Sequence, residues 1–194
     1  MSLFANKYRV ESTRLQGWNY SLPGYYFVTL CIKDWGIPLG FVRKGRIQLS
    51  NVGKIAADEW RKAGKTYINV KMDEWVIMPN HLHGIVVIED NDDGCDASVE
   101  TVHELFLREP PPPQAVIRQN RRRMLLSKMI GKFKMRSAKR INILQNTIGK
   151  PFWQARFYDH IIKDNLSLER IRAYIRNNPK AWNRDRNNVE DIFM

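Results

Sequence analysis

The chain has 194 residues, 43% of them hydrophobic, with a formal net charge of +12 and an isoelectric point near 9.9. That length suits one domain with a core of its own, and the charge points to an anionic partner, nucleic acid or a membrane surface. No apolar run approaches the roughly 20 residues that span a bilayer, Met1–Lys7 lacks a signal-like apolar stretch, and Cys31 and Cys95 form no CxxC pair, so the expectation is a cytoplasmic protein without a zinc or disulfide framework.

Gly24–Ile32 is aromatic and β-branched, opens at Pro23-Gly24, and predicts a strand, with Cys31 as a small buried hydrophobe. Leu39–Ser50 predicts a hairpin turning at Lys44-Gly45. Asn51–Lys65 predicts a helix, because Val52, Ile55, Ala56, Trp60 and Ala63 recur at three- and four-residue spacing and Ser50 or Asn51 can cap its start. Asn69–Met78 and His81–Glu89 predict a strand pair joined at Pro79-Asn80. Residues 90–118 are acidic, then run through Pro110–Pro113, and are expected to form a loop insertion.

Gln114–Lys150 contains no acidic residue. Leu126, Ile130, Phe133, Ile141 and Leu144 run through it as an apolar stripe, which predicts a long basic amphipathic helix with its charges outward. Arg121, Arg122, Arg123, Lys128, Lys132 and Arg136 are the candidate DNA contacts. Phe152–Lys163 predicts another strand. Ser167–Asn177 predicts a short helix buried through Leu168, Ile171 and Ile175 and ended by Pro179. Trp182 begins a polar, loosely packed tail, of which 184–194 is the polar end. Without its hairpin and last helix the order is β-α-β-β-α-β. The expected fold is α+β: a ferredoxin-like antiparallel sheet with helices mainly on one face, plus an extra hairpin and a C-terminal tyrosine helix, all within one domain over 1–194.

Two of the four histidines, His81 and His83, sit two apart in a predicted strand, so both imidazoles face one side and can supply two ligands to a divalent metal. In the last helix Tyr174 and Asn178 are four apart and share a face. The phenol is a nucleophile and the amide oxygen a hard ligand. Together these residues outline a sparse metal site beside a tyrosine able to attack a DNA phosphodiester and hold it as a phosphotyrosine. Tyr158 is the alternative nucleophile. His160 shares its strand face and either assists at the site or makes a structural hydrogen bond. Trp18, Tyr20 and Trp35 either stack bases or anchor the core and loops.

Val76–Gly84, Trp153-Gln154 with Tyr158–Ile162, and Tyr174–Pro179 resemble the REP-associated tyrosine transposases, domesticated relatives of the single-tyrosine HUH transposases. Tyr25–Thr29 and Ser127–Lys134 resemble the family too, so the likeness runs over roughly residues 18 to 183. It implies His81 and His83 as metal ligands, Tyr174 as the nucleophile, Mg²⁺ or Mn²⁺ as the cofactor, and single-stranded DNA hairpins as substrates that are cut and rejoined. The insertion-sequence relatives carry glutamine where Asn178 stands, one methylene longer, and Pro179 is expected to push Asn178 out of helical geometry. Those relatives act as homodimers exchanging the tyrosine helix, whereas some REP-associated members act as monomers, so both states stay open. The rival function is a non-catalytic DNA or RNA hairpin-binding module on the same sheet.

Overall fold

The computed structural model describes residues 3–4, 8–9, 15, 18–34, 38–90 and 124–184. The acidic and proline-rich segment after Asp90, expected to form a loop insertion, lies outside them, as do Trp35, Arg121, Arg122, Arg123 and the residues after Arg184. Two short strands, β1 (Leu3–Phe4) and β2 (Tyr8–Arg9), pair antiparallel. The main sheet has β3 (Gly24–Cys31), β6 (Val70–Ile77), β7 (His81–Ile88) and β8 (Tyr158–Ile162) in the order β6-β7-β3-β8, antiparallel throughout. This is the ferredoxin-like arrangement. The hairpin of β4 (Gly40–Arg43) and β5 (Arg46–Leu49) turns on Lys44 (φ 51°) and Gly45 (φ 69°), both left-handed, as a two-residue turn that follows the strand twist requires.

Strand alternation divides the protein into two layers of packing. Tyr26, Val28 and Leu30 of β3, with Leu82, Val86 and Ile88 of β7, face α1 (Asn51–Gly64) and α2 (Leu125–Gln145). Trp60 of α1 meets Phe133 of α2 edge to face at 5.1 Å in this larger core. Burial of each such ring contributes on the order of 2–3 kcal/mol. Gly84 lets α1 come this close: a Cβ there would lie 2.7 Å from Cζ2 of Trp60. Ser50 caps α1 by accepting from the Gly53 amide at 3.1 Å. Opposite, Phe27, Ile85, Val87 and Ile162 face α3 (Asn165–Ala181) through Leu168 and Ile175. Thus α1 and α2 share one face, and the C-terminal helix covers part of the other.

Several expectations are corrected. Pro179 does not end the last helix, which continues to Ala181 with Asn178 buried inside it. The buried Ile175, Asn178 and Trp182 hold this turn against the sheet and offset the i−4 hydrogen bond that Pro179 cannot donate. Trp182 does not belong to a loose tail; it is 2% exposed. The strand expected from Phe152 starts only at Tyr158, because Trp153 makes a single bridge to Ile32 and turns inward, its indole donating to Ser137 Oγ at 2.8 Å. Leu144 leaves the α2 stripe and is 50% exposed. Cys31, expected to be buried, is half-buried, whereas Trp18 and Tyr20 take the core role that was one of their two expected alternatives.

Candidate active site

His81 and His83 project from β7 toward α3, and both are buried. The rings lie 4.4 Å apart by centroids. His83 stacks on Phe27 of β3 at 5.4 Å, and His81 lies 6.1 Å from the Trp182 ring. Tyr174 reaches down from α3, its hydroxyl 3.2 Å from Nε2 of His83. It remains 48% exposed, so the phenol joins a buried imidazole to solvent. The helix is positioned by its apolar face and by two ion pairs to β6: Arg172 to Asp73 at 2.7 Å and Arg176 to Glu74 at 3.0 Å. A register shift between Met72 and Trp75 occurs where these two carboxylates stand.

Asn178 is one helical turn beyond Tyr174, and Trp182 one turn beyond Asn178, so the three follow one stripe of α3 and its cap. Tyr174 lies against His83 and Trp182 against His81. Asn178 therefore faces the histidine pair between them. It is 3% exposed, and its Oδ1 makes no hydrogen bond among the described residues. A buried carbonyl oxygen without a donor is costly unless something occupies its lone pairs. Two imidazoles and this oxygen fit a divalent cation in donor chemistry.

The other candidates fall at different distances from this centre. Tyr158 and His160 lie on the same sheet face, on edge strand β8; the Tyr158 ring stands edge-on to Phe27 at 6.4 Å and is 47% exposed. Tyr174 is the phenol whose hydroxyl meets a histidine nitrogen in this site. Lys128, Lys132 and Arg136 lie on α2, in the layer across the sheet from the histidines. Lys128 and Arg136 are exposed, while Lys132 lies over the Tyr67 ring at 5.6 Å. Part of the acid-free helix is neutralised from outside: Arg140 pairs with Asp58 and, at 2.7 Å, with Glu59 of α1. Sequence reasoning missed Thr29, Asn80, Phe27 and Trp182. Only the pairing of β3 with β7 brings Thr29 opposite His83.

A family model described as Transposase IS200 like matches residues 116–178, from the basic segment through Tyr174 to Asn178. An uncharacterized protein of Haemophilus influenzae is 32% identical over 178 residues, covering 90% of this chain and 91% of that one. The chain belongs to the IS200-like transposase family. The solved structure of a REP-associated tyrosine transposase bound to a REP hairpin resembles this transposase-family chain with a TM-score of 0.52 at 17% identity, over 90% of this chain and 72% of that one. The two share a fold. Among the described residues of this transposase relative, no helix is long and apolar enough to cross a membrane.

Proposed function

We propose that this protein nicks and rejoins single-stranded DNA hairpins through a covalent 5′-phosphotyrosine on Tyr174. The observation that carries the proposal is the half-exposed Tyr174 hydroxyl, 3.2 Å from Nε2 of a buried histidine in a member of the IS200-like family. The hairpin bound by the structural neighbour supports the choice of substrate. His81, His83 and Asn178 would hold Mg²⁺ or Mn²⁺. When bound, the ion would polarise the scissile phosphate and offset the negative charge that builds on its oxygens.

The protein's own groups account for the covalent chemistry. The Tyr174 oxygen attacks phosphorus as its proton departs, and the bond from phosphorus to the 3′ oxygen breaks. The 3′ oxygen takes up a proton, and the 5′ phosphate stays on the tyrosine. Attack by a 3′ hydroxyl reverses these events and returns the phenol, so the ester bond is conserved and no ATP is needed. A phenol has a reference pKa near ~10, so about one in a thousand is ionised at neutral pH. Nε2 of His83 has one lone pair, which either accepts from Tyr174 or ligates the metal. The observed hydrogen bond is thus a resting contact for the nucleophile. Exposed Lys128 and Arg136 would add nonspecific attraction for DNA from the other layer.

The test uses a labelled single-stranded hairpin with the full-length protein. A protein–DNA adduct that survives denaturation, requires Mg²⁺ or Mn²⁺ and disappears in Tyr174→Phe is the expected result. An unchanged adduct in that variant removes Tyr174 from the role. Tight hairpin binding without cleavage under any divalent metal would return the protein to the class of binding modules.

A further inference from the structure

The two candidate ligand histidines are each held from behind by a different oxygen. Nδ1 of His81 lies 2.7 Å from Oδ1 of Asn80, in a buried contact. An amide oxygen only accepts, so the imidazole must donate, and His81 carries its proton on Nδ1. Its Nε2 is then the lone-pair nitrogen. Nδ1 of His83 lies 2.8 Å from Oγ1 of Thr29, the residue paired with it across β3 and β7. A hydroxyl can play either role, but Nε2 of the same ring meets the Tyr174 hydroxyl at 3.2 Å, where the phenol is the natural donor. With Nε2 as the nitrogen that would ligate the metal, the arrangement that fits both contacts has Nδ1–H donating to Thr29 and Nε2 accepting from Tyr174.

We infer that Asn80 and Thr29 are positioning residues that fix both imidazoles as Nδ1–H tautomers and so turn two Nε2 lone pairs toward Asn178 on α3. This rests on the metal role proposed above for His81 and His83. A neutral imidazole ligates through its unprotonated nitrogen, and the group that holds the other N–H sets ring orientation and ligand basicity. Neither residue touches the substrate in this scheme. Asn80 has a structural contribution as well: its backbone carbonyl accepts from the Ile32 amide at 3.1 Å, a contact that side-chain replacement leaves in place.

Mn²⁺ alone is the probe, with affinity read from the free-ion EPR signal of the full-length protein. Thr29→Val keeps the shape of the side chain and removes the acceptor; Asn80→Leu does the same for the other ring. Each is expected to weaken Mn²⁺ binding by about 10-fold or more, and Thr29→Ser and Asn80→Asp, which retain an acceptor, are expected to restore most of it. Nitrogen NMR of the metal-free wild-type protein is expected to find both rings protonated on Nδ1. Wild-type affinity in folded Thr29→Val, or an Nε2–H tautomer on either ring, would overturn the inference. Should wild-type protein fail to bind Mn²⁺, the metal role falls while the NMR still decides the tautomers, so the two failures are distinguishable.

Discussion

The Tyr174 hydroxyl stands 3.2 Å from Nε2 of His83, across 91 positions of sequence and between a helix and the central strand it covers. That nitrogen has one lone pair, so the proposed nucleophile and the proposed metal would contend for it. Removing the hydroxyl deletes the contender while leaving the ring in place. A neutral hydrogen bond is worth about 1 kcal/mol net, which corresponds to roughly a fivefold change in binding. Tyr174→Phe is therefore expected to bind Mn²⁺ about two- to fivefold more tightly than wild type by calorimetry, while forming no DNA adduct. Weaker binding would instead make the phenol a ligand.

Lys128 and Arg136 are exposed on α2, in the layer away from the histidines. On the proposed function, charge in that layer would serve DNA affinity and not chemistry. Lys128→Ala and Arg136→Ala are each expected to lower the salt slope of hairpin binding by about 0.7 for every single-strand phosphate that the side chain had neutralised. Single-turnover cleavage at saturating DNA is expected to stay at the wild-type rate. A fall in that rate would mean that α2 shapes the reacting DNA.

Gly84 follows the histidine pair on β7, and its α-carbon faces Trp60 of α1, whose Cζ2 would lie 2.7 Å from an added Cβ. The clash is with a fully buried ring, which has little room to retreat. Gly84→Ala is expected to cost about 1–3 kcal/mol by denaturant unfolding. The displaced strand would also carry His81 and His83, so Mn²⁺ affinity is expected to fall with it.

Arg140 joins α2 to α1 through Asp58 and Glu59. Glu59 is buried, and Arg140→Ala takes away its 2.7 Å partner while leaving Lys62 at 3.7 Å. The expected destabilisation is about 1–2 kcal/mol near neutral pH. Hydrogen bonds from Lys62 and then Arg140 hold the Asp58 carboxyl below its ordinary value of 3.8. A carboxylate whose folded pKa is depressed stabilises the fold above its unfolded pKa and loses that contribution as pH falls through the folded value. The gap between wild type and Arg140→Ala is thus expected to narrow below about pH 4. Equal gaps at pH 7 and pH 3 would assign the effect to packing of the arginine stem alone.

The elements themselves were largely legible. Val52, Ala56, Trp60 and Ala63 marked the buried face of α1, and the alternating residues of β3 and β7 matched their two faces. The end of α3 was not legible, because Pro179 read alone is a stop and only the burial of Ile175, Asn178 and Trp182 makes continuation favourable. Leu144 shows the same limit in reverse: its spacing fits the α2 stripe, but nothing among the described residues covers that last turn enough to bury it. Asn80 read as turn chemistry, and its contact with His81 depended on a side-chain direction that residue order does not carry.

By itself, the sequence determined what backbone periodicity controls. A strand repeats every two residues, so His81 and His83 share a face; a helix repeats every 3.6, so Tyr174 and Asn178 share another. Those relations hold wherever the elements pack. Tertiary structure alone decided that the two faces meet, that α2 lies across the sheet from them, and that Thr29 stands opposite His83. Strand register and helix placement are set by long-range burial on both sides of the sheet, and no local repeat encodes which side a helix will cover.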